Sequence, residues 1–184
     1  MIKAIAFDFG GVLAHEKEIE LSETEDRMER FFGKLDSDEE YLDKVQEIVP
    51  DREQAEEIAK GIVHKLYEAK DATIFSKVKQ TYPGMKICVA TNHVTWIEDV
   101  ILEMFPEQEI DKIFVSAKMH KSKPDEAFYL EVAEEMELSP SEILFLDDRM
   151  ENVVAAQNVQ MKAFQVTRPM NLWEEICQFL RDNV

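Results

Sequence analysis

The grouping of apolar residues constrains this chain most: short runs end abruptly in polar residues and alternate with stretches of helical period. The first run stops at Asp8 and is followed by Gly10 and Gly11. Four more are read as strands at Lys86–Ala90, Lys112–Val115, Glu142–Leu146 and Met161–Val166. Such runs suit strands buried on both faces, and their separation by helical stretches of about ten to fifteen residues predicts βαβ units and a parallel sheet. In open sheets of this kind ligands gather outside the carboxyl ends of the strands, so the residues that end each run are candidates for chemistry. Gly10 and Gly11 would let the backbone turn sharply and approach a ligand there.

Between the first two runs the pattern becomes helical and acidic. Residues 15–70 read as an all-helical segment, with helices over Ser22 to Phe32, Asp38 to Val49 and Arg52 to Tyr67, and with Pro50-Asp51 as a boundary between the last two. Tyr41, Leu42, Val45, Ile48 and Val49 recur at helical spacing, as do Ile58, Ile62, Val63 and Leu66. The fold class is therefore α/β: a Rossmann-like parallel sheet flanked by helices, with a small helical block inserted after the first strand. This divides the chain into a core, 1–14 and 71–184, and an insertion, 15–70.

At 184 residues, 45% of them hydrophobic, the chain can bury one substantial core. Its formal net charge of −18 disfavours nucleic acid and anionic lipid surfaces, which need clustered Lys and Arg. No segment reaches the length of a membrane span, and the N-terminal apolar run is too short for a signal h-region. Cys88 and Cys177 lie in apolar surroundings with no CxxC or metal-ligand spacing, so both are expected as buried free thiols in a reduced, cytoplasmic protein.

Polar residues collect where the theory of such sheets places them. One run ends in Thr91, Asn92 and His93, and another in the carboxylate pair Asp147-Asp148. Between them lies Lys121-Ser122-Lys123-Pro124-Asp125, with Pro124 suited to the first turn of a helix and Asp125 and Glu126 to its N-terminus. Lys118 and Lys121 compete with Lys123 for any role at the site.

Four ordered motifs, Phe7-Asp8-Phe9-Gly10-Gly11-Val12-Leu13, Ala90-Thr91-Asn92, Lys123-Pro124 and Leu146-Asp147-Asp148-Arg149-Met150-Glu151-Asn152, resemble those of the haloacid dehalogenase-like (HAD) hydrolase superfamily, in the branch with a helical cap after the first strand. The resemblance covers nearly the whole chain. It implies a Mg²⁺-dependent phosphatase acting on a small phosphorylated metabolite. Asp8 would be the nucleophile that forms an aspartyl-phosphate, and the metal would be held by Asp8, the Gly10 backbone carbonyl and Asp148, supported by Asp147 and Asn152. Thr91, the Asn92 backbone and Lys123 would hold the substrate phosphate. The chemistry fits, because a carboxylate can approach a phosphate only if their repulsion is cancelled by cationic charge.

One position departs from the pattern. Phosphatases of this family usually carry a second Asp two residues after the nucleophile, which protonates the leaving group and later activates water; here that residue is Gly10. Loss of general acid–base catalysis removes ~10²–10⁴-fold in rate, so weakened activity is expected unless His15, His93 or Glu16 substitutes. Two other readings stay open: a metal- or phosphate-binding regulatory or interaction protein, and a 2-haloacid dehalogenase. The dehalogenase reading fits the missing Asp but not the pair Asp147-Asp148.

Overall fold

The computed structural model describes residues 1–168 and 170–182. Five strands, β1 (Ala4–Phe7), β4 (Lys86–Thr91), β5 (Lys112–Val115), β6 (Ile143–Asp147) and β7 (Lys162–Gln165), form one sheet in the order β5-β4-β1-β6-β7, with all neighbours parallel. β1 lies at the centre. Two further strands, β2 (Ala14–Glu16) and β3 (Tyr67–Ala69), form a separate antiparallel ribbon in which Glu16 pairs with Tyr67.

Alternation along the central strands gives the sheet two unlike faces. Ile5, Phe7, Ile87, Val89, Leu144 and Leu146 join one buried cluster, and Ala4, Ala6, Cys88, Ala90, Ile143 and Phe145 join the other. The period of two along each strand produces this division. Against the larger side chains pack α4 (Ile74–Thr81), α5 (Ile97–Met104) and α9 (Leu172–Asp182), while α7 (Glu126–Glu135) and α8 (Met150–Asn158) cover the other face. There the small Ala4, Ala6 and Ala90 leave room for the fully buried rings of Phe128, Tyr129 and Phe145.

Between β2 and β3 run α1 (Glu23–Glu29), α2 (Asp38–Val45) and α3 (Arg52–Leu66). Each starts at a side-chain cap, Ser22, Ser37 and Asp51 respectively, which satisfies an amide that the first turn leaves unpaired. Residues 15–70 are thus not entirely helical: the chain enters and leaves the helical block through the ribbon. The buried side chains of these helices, among them Met28, Tyr41, Val45, Ala59 and Ile62, belong to the same apolar cluster as Ile5 and Phe7.

Several local expectations are corrected. β4 extends to Thr91 and β6 to Asp147, so each includes the polar residue expected just beyond it. Pro124 precedes the N-cap of α7 instead of occupying its first turn; Asp125 is that cap, accepting from the Ala127 amide at 3.0 Å. Cys88 is buried, but Cys177 is only partly so, because it lies on the amphipathic C-terminal helix α9 beside its exposed edge. A short helix, α6 (Ser116–Met119), follows β5 directly.

The two glycines after β1 have different reasons to be there. Gly11 has φ +82°, and a Cβ on it would sit 2.2 Å from Asp148 Oδ2. Gly10 has no such φ, and a Cβ there would meet nothing within 4 Å. Gly11→Ala is therefore expected to lose at least the ~1–2 kcal/mol of the left-handed backbone, with the clash added, whereas Gly10→Ala should stay close to wild type. Urea denaturation of the two variants checks this, and equal stability would contradict it.

Candidate active site

β1, β4 and β6 are parallel neighbours, so Asp8, Thr91 and Asp147 emerge at one edge of the sheet. Together with Phe9, Gly10, Asn92, His93, Lys123, Asp148, Arg149 and Asn152, Asp8 and Thr91 line a cleft of about 240 Å³. Every sequence-predicted site residue except Asp147 lines this cleft. Asp147 lies directly beneath, fully buried, in contact with Lys123.

Lys123 is the centre of the arrangement. Its ammonium lies 2.9 Å from Asp8 Oδ1, 2.7 Å from Asp147 Oδ2 and 3.0 Å from the Ala90 carbonyl, so each of its three protons has an acceptor. A phosphate oxygen would have to replace one of them. Burial alone would lower the Lys123 pKa, but Asp8 and Asp147 outweigh it and hold the group above its ordinary value. Lys118 and Lys121 are excluded from this role, since they pair with Glu98 and Glu131.

The backbone that carries Lys123 is held by Asn92. Asn92 Nδ2 donates to the Lys123 carbonyl at 2.8 Å, and the Lys123 amide donates to Asn92 Oδ1 at 2.9 Å. The Asn92 side chain therefore locks the end of β4 to the Lys123 segment, leaving its backbone as the part that can face a ligand. Thr91, buried at the end of β4, has a hydroxyl with no hydrogen-bond partner among the described residues.

Asp147 orients other groups. Its carboxylate accepts from Lys123, from Asn152 Nδ2 at 3.0 and 3.1 Å, and from the Arg149 amide at 2.9 Å. Gln165 donates to the Asp148 carbonyl at 2.9 Å and steadies the following turn. The carboxylates of Asp8, Asp147 and Asp148 each offer an oxygen within 4.8 Å of the others, a cluster that could hold a metal ion. Of the three, Asp147 is the most fully committed to protein donors, so Asp8 and Asp148 are the better placed to ligate. The Gly10 carbonyl accepts no hydrogen bond from the described residues.

Electrostatics show what the cluster lacks. Burial pushes the Asp8 carboxyl above the usual range; Lys123 pulls it back, while Asp147 and Asp148 push it up again. Burial and the neighbouring Asp147 likewise raise Asp148. Three carboxylates face one ammonium, and a hard divalent cation with oxygen ligands supplies the charge that would restore the balance. The residues present fit such an ion.

The cleft also contains residues that no motif marked: Glu16, Glu29, Phe32 and Tyr67. Glu16, one of the three candidates to replace the missing acid–base Asp, lies on this wall. Phe32 stacks near His93, with ring centroids 4.9 Å apart, and Tyr67 stands edge-on to Phe9 at 5.1 Å. Glu29 has its pKa raised, first by burial and then by Glu16 and Asp26. Gly33, with φ +69°, brings the loop after α1 so close to Asn92 that a Cβ would lie 2.3 Å from the Asn92 carbonyl oxygen. His15 faces elsewhere: it lines a larger cavity of about 480 Å³ with Lys70, Arg168 and Trp173, which contains none of the predicted site residues.

Known proteins match this architecture. Residues 5–166 match the family model for haloacid dehalogenase-like hydrolases. The chain is 30% identical to the sesquiterpene phosphatase AstK of Aspergillus oryzae, over 97% of this chain and 96% of that protein. A HAD-like family hydrolase from Porphyromonas gingivalis superposes with a TM-score of 0.73 at 23% identity, covering 98% of each chain. A HAD family enzyme from Bacteroides thetaiotaomicron, in complex with magnesium and inorganic phosphate, does so with 0.70 at 15% identity, covering 95% of this chain and 99% of the other. The two structural likenesses establish the fold, and the family match spans the site from β1 through the residues beyond β7. The chain belongs to the haloacid dehalogenase-like hydrolase family.

Proposed function

We propose that the protein is a Mg²⁺-dependent phosphomonoester hydrolase in which Asp8 is the nucleophile. The observation that carries this reading is the charge arrangement at the cleft floor: three carboxylates with oxygens within 4.8 Å, one buried ammonium, and a free Thr91 hydroxyl on the same wall. That AstK is a phosphatase, and that the B. thetaiotaomicron enzyme holds magnesium and phosphate, supports the same conclusion.

In this reading Asp8, Asp148 and the Gly10 carbonyl would hold the metal, with Asp147 and Asn152 in support. The ion supplies positive charge against the Asp8 carboxylate and the phosphoryl oxygens. Thr91, the Asn92 backbone and Lys123 would hold the phosphate. As the Asp8 oxygen becomes engaged with phosphorus, the Lys123 N–H that donated to it would donate to a phosphoryl oxygen instead, the ammonium keeping its three protons and its charge. An aspartyl-phosphate then forms and is hydrolysed. Residues 15–70 would act as a cap over the core formed by 1–14 and 71–184, excluding water from the cleft. Gly10 leaves the second acid–base carboxylate missing, so turnover is weaker than with an Asp there.

A cleft of about 240 Å³ holds a phosphoryl group and a compact alcohol. Phe9, Phe32 and Tyr67 offer that alcohol apolar surface, while Glu16 and Glu29 place negative charge beside it. The substrate is therefore a small phosphate ester whose leaving group carries no negative charge.

Three variants test this reading. Asp8→Asn should abolish hydrolysis and the binding of beryllium fluoride without unfolding the chain, and Asp148→Ala should abolish Mg²⁺ binding in calorimetry; full activity in the first, or unchanged affinity in the second, would reject the reading. Glu29→Gln should raise kcat/KM for carboxylate-bearing phosphate esters by about tenfold, the scale of one like-charge contact screened nearly as in bulk water, and change uncharged esters much less. An equal effect on both classes would remove the role given to this wall.

A further inference from the structure

The empty place at Gly10 raises the question of which group delivers a proton to the leaving oxygen. Resting on the phosphatase reading above, we propose that Tyr67, backed by His93, is the general acid of the first step and the general base of the second. Tyr67 is the first residue after α3 and begins β3, so the ribbon carries its ring into the cleft that holds Asp8. Its hydroxyl is 2.9 Å from His93 Nε2, and its ring is held edge-on by Phe9. The charges of Glu16, Glu29 and Asp8 act on that hydroxyl, which places it among the carboxylates of the cleft.

His93 is built to stay neutral and fixed. It is 5% exposed, its backbone amide donates to Ser116 Oγ at 3.1 Å, and Phe32 covers its ring. Burial pushes its pKa down to about 4. Nδ1 is buried beside the Val94 backbone and makes no other polar contact among the described residues. With the ring proton on Nε2 and donated to the Tyr67 oxygen, 2.9 Å away, the hydroxyl's own proton is free for a leaving group in the cleft.

The steps balance. Asp8 forms a bond to phosphorus as the ester P–O bond breaks; the electron pair goes to the leaving oxygen, which takes the Tyr67 proton, and the phenolate is held by His93 Nε2–H. Water then attacks the phosphorus, its proton returns to Tyr67, and the P–O bond to Asp8 breaks with the pair returning to the carboxylate. Burial and the three neighbouring carboxylates raise the phenol above its usual range, so it is a weaker acid than the Asp that Gly10 replaces.

The test compares glycerol 2-phosphate with p-nitrophenyl phosphate in Mg²⁺, using folded Tyr67→Phe. Turnover of the alkyl ester is expected to fall by ~10²–10⁴-fold, whereas nitrophenol, which needs no proton to leave, should appear in a burst equal to the enzyme concentration before slow turnover. Gly10→Asp in the Tyr67→Phe background should restore the alkyl ester, because the new side chain meets nothing within 4 Å at its Cβ. His93→Leu, which removes the donor but not the hydroxyl, should show the same split in weaker form and serves if Tyr67→Phe does not fold. Unchanged alkyl-to-aryl ratios without a burst in these variants would overturn the assignment of Tyr67. Failure of the wild-type protein to hydrolyse either ester would overturn the phosphatase reading and this one with it.

Discussion

The site depends on a cation buried between two carboxylates. Taking an ammonium and its partners out of water is unfavourable by several kcal/mol per ion, and the loss is recovered only where geometry and additional hydrogen bonds are good. At Lys123 they are: Asp8, Asp147 and the Ala90 carbonyl take its three protons, and Asn92 holds its backbone. Each partner comes from a different strand end, so the ion triad also fixes how β1, β4 and β6 meet the Lys123 loop. Asn152 and the Arg149 amide then fix Asp147. The network closes on itself except at Asp8 and Asp148, where negative charge exceeds what Lys123 and Lys70 offset, an imbalance that a divalent cation would fit.

The helical block is tied to this floor. Asp38 accepts from the Thr95 amide at 2.9 Å, the His120 ring contacts the Asp36 carbonyl, Gly33 presses on Asn92, and Tyr41 meets Trp96. Its buried side chains continue the apolar cluster of the sheet without a break. Lifting the block away would expose fully buried residues such as Met28 and Tyr41, at roughly 1.5–3 kcal/mol for each large apolar side chain. Contact of this extent favours a cleft whose walls stay in place and whose selectivity is set by Glu16, Glu29, Phe32 and Tyr67, more than one assembled by large domain movement.

What the sequence disclosed was local. Buried strands read as apolar runs, and a strand that ends at a site shows its chemistry at the break, which is how Asp8, Thr91 and Asp147 could be found. The caps at Ser22, Ser37 and Asp51 lie next to helical patterns for the same reason. The ribbon was hidden, because its strands are three residues long and pair across some fifty residues of helix, a length too short to set a period of two. Tyr67 fell inside a helical pattern and looked like its last apolar member. The motif assigns the Asn92 backbone to a ligand and is silent on its side chain, whose bidentate bond to the Lys123 backbone joins segments thirty-one residues apart, which no spacing rule could show.

The adjacent glycines separate backbone necessity from chemical choice. Gly11 has no alternative: its φ is left-handed and Asp148 occupies the place of its Cβ. Gly10 has open space and an ordinary φ, so neither strain nor crowding excludes a carboxylate there. A carboxylate at that point would add a fourth negative group to a floor where burial and mutual repulsion already raise Asp8 and Asp148. A phenol does not add charge until it gives up its proton, and it gives it up only as the leaving oxygen needs it. Moving the proton donor from the crowded floor to the tyrosine on the ribbon thus relieves the electrostatic load on the metal-binding carboxylates at the expense of acid strength, and favours esters whose leaving groups demand least of that acid.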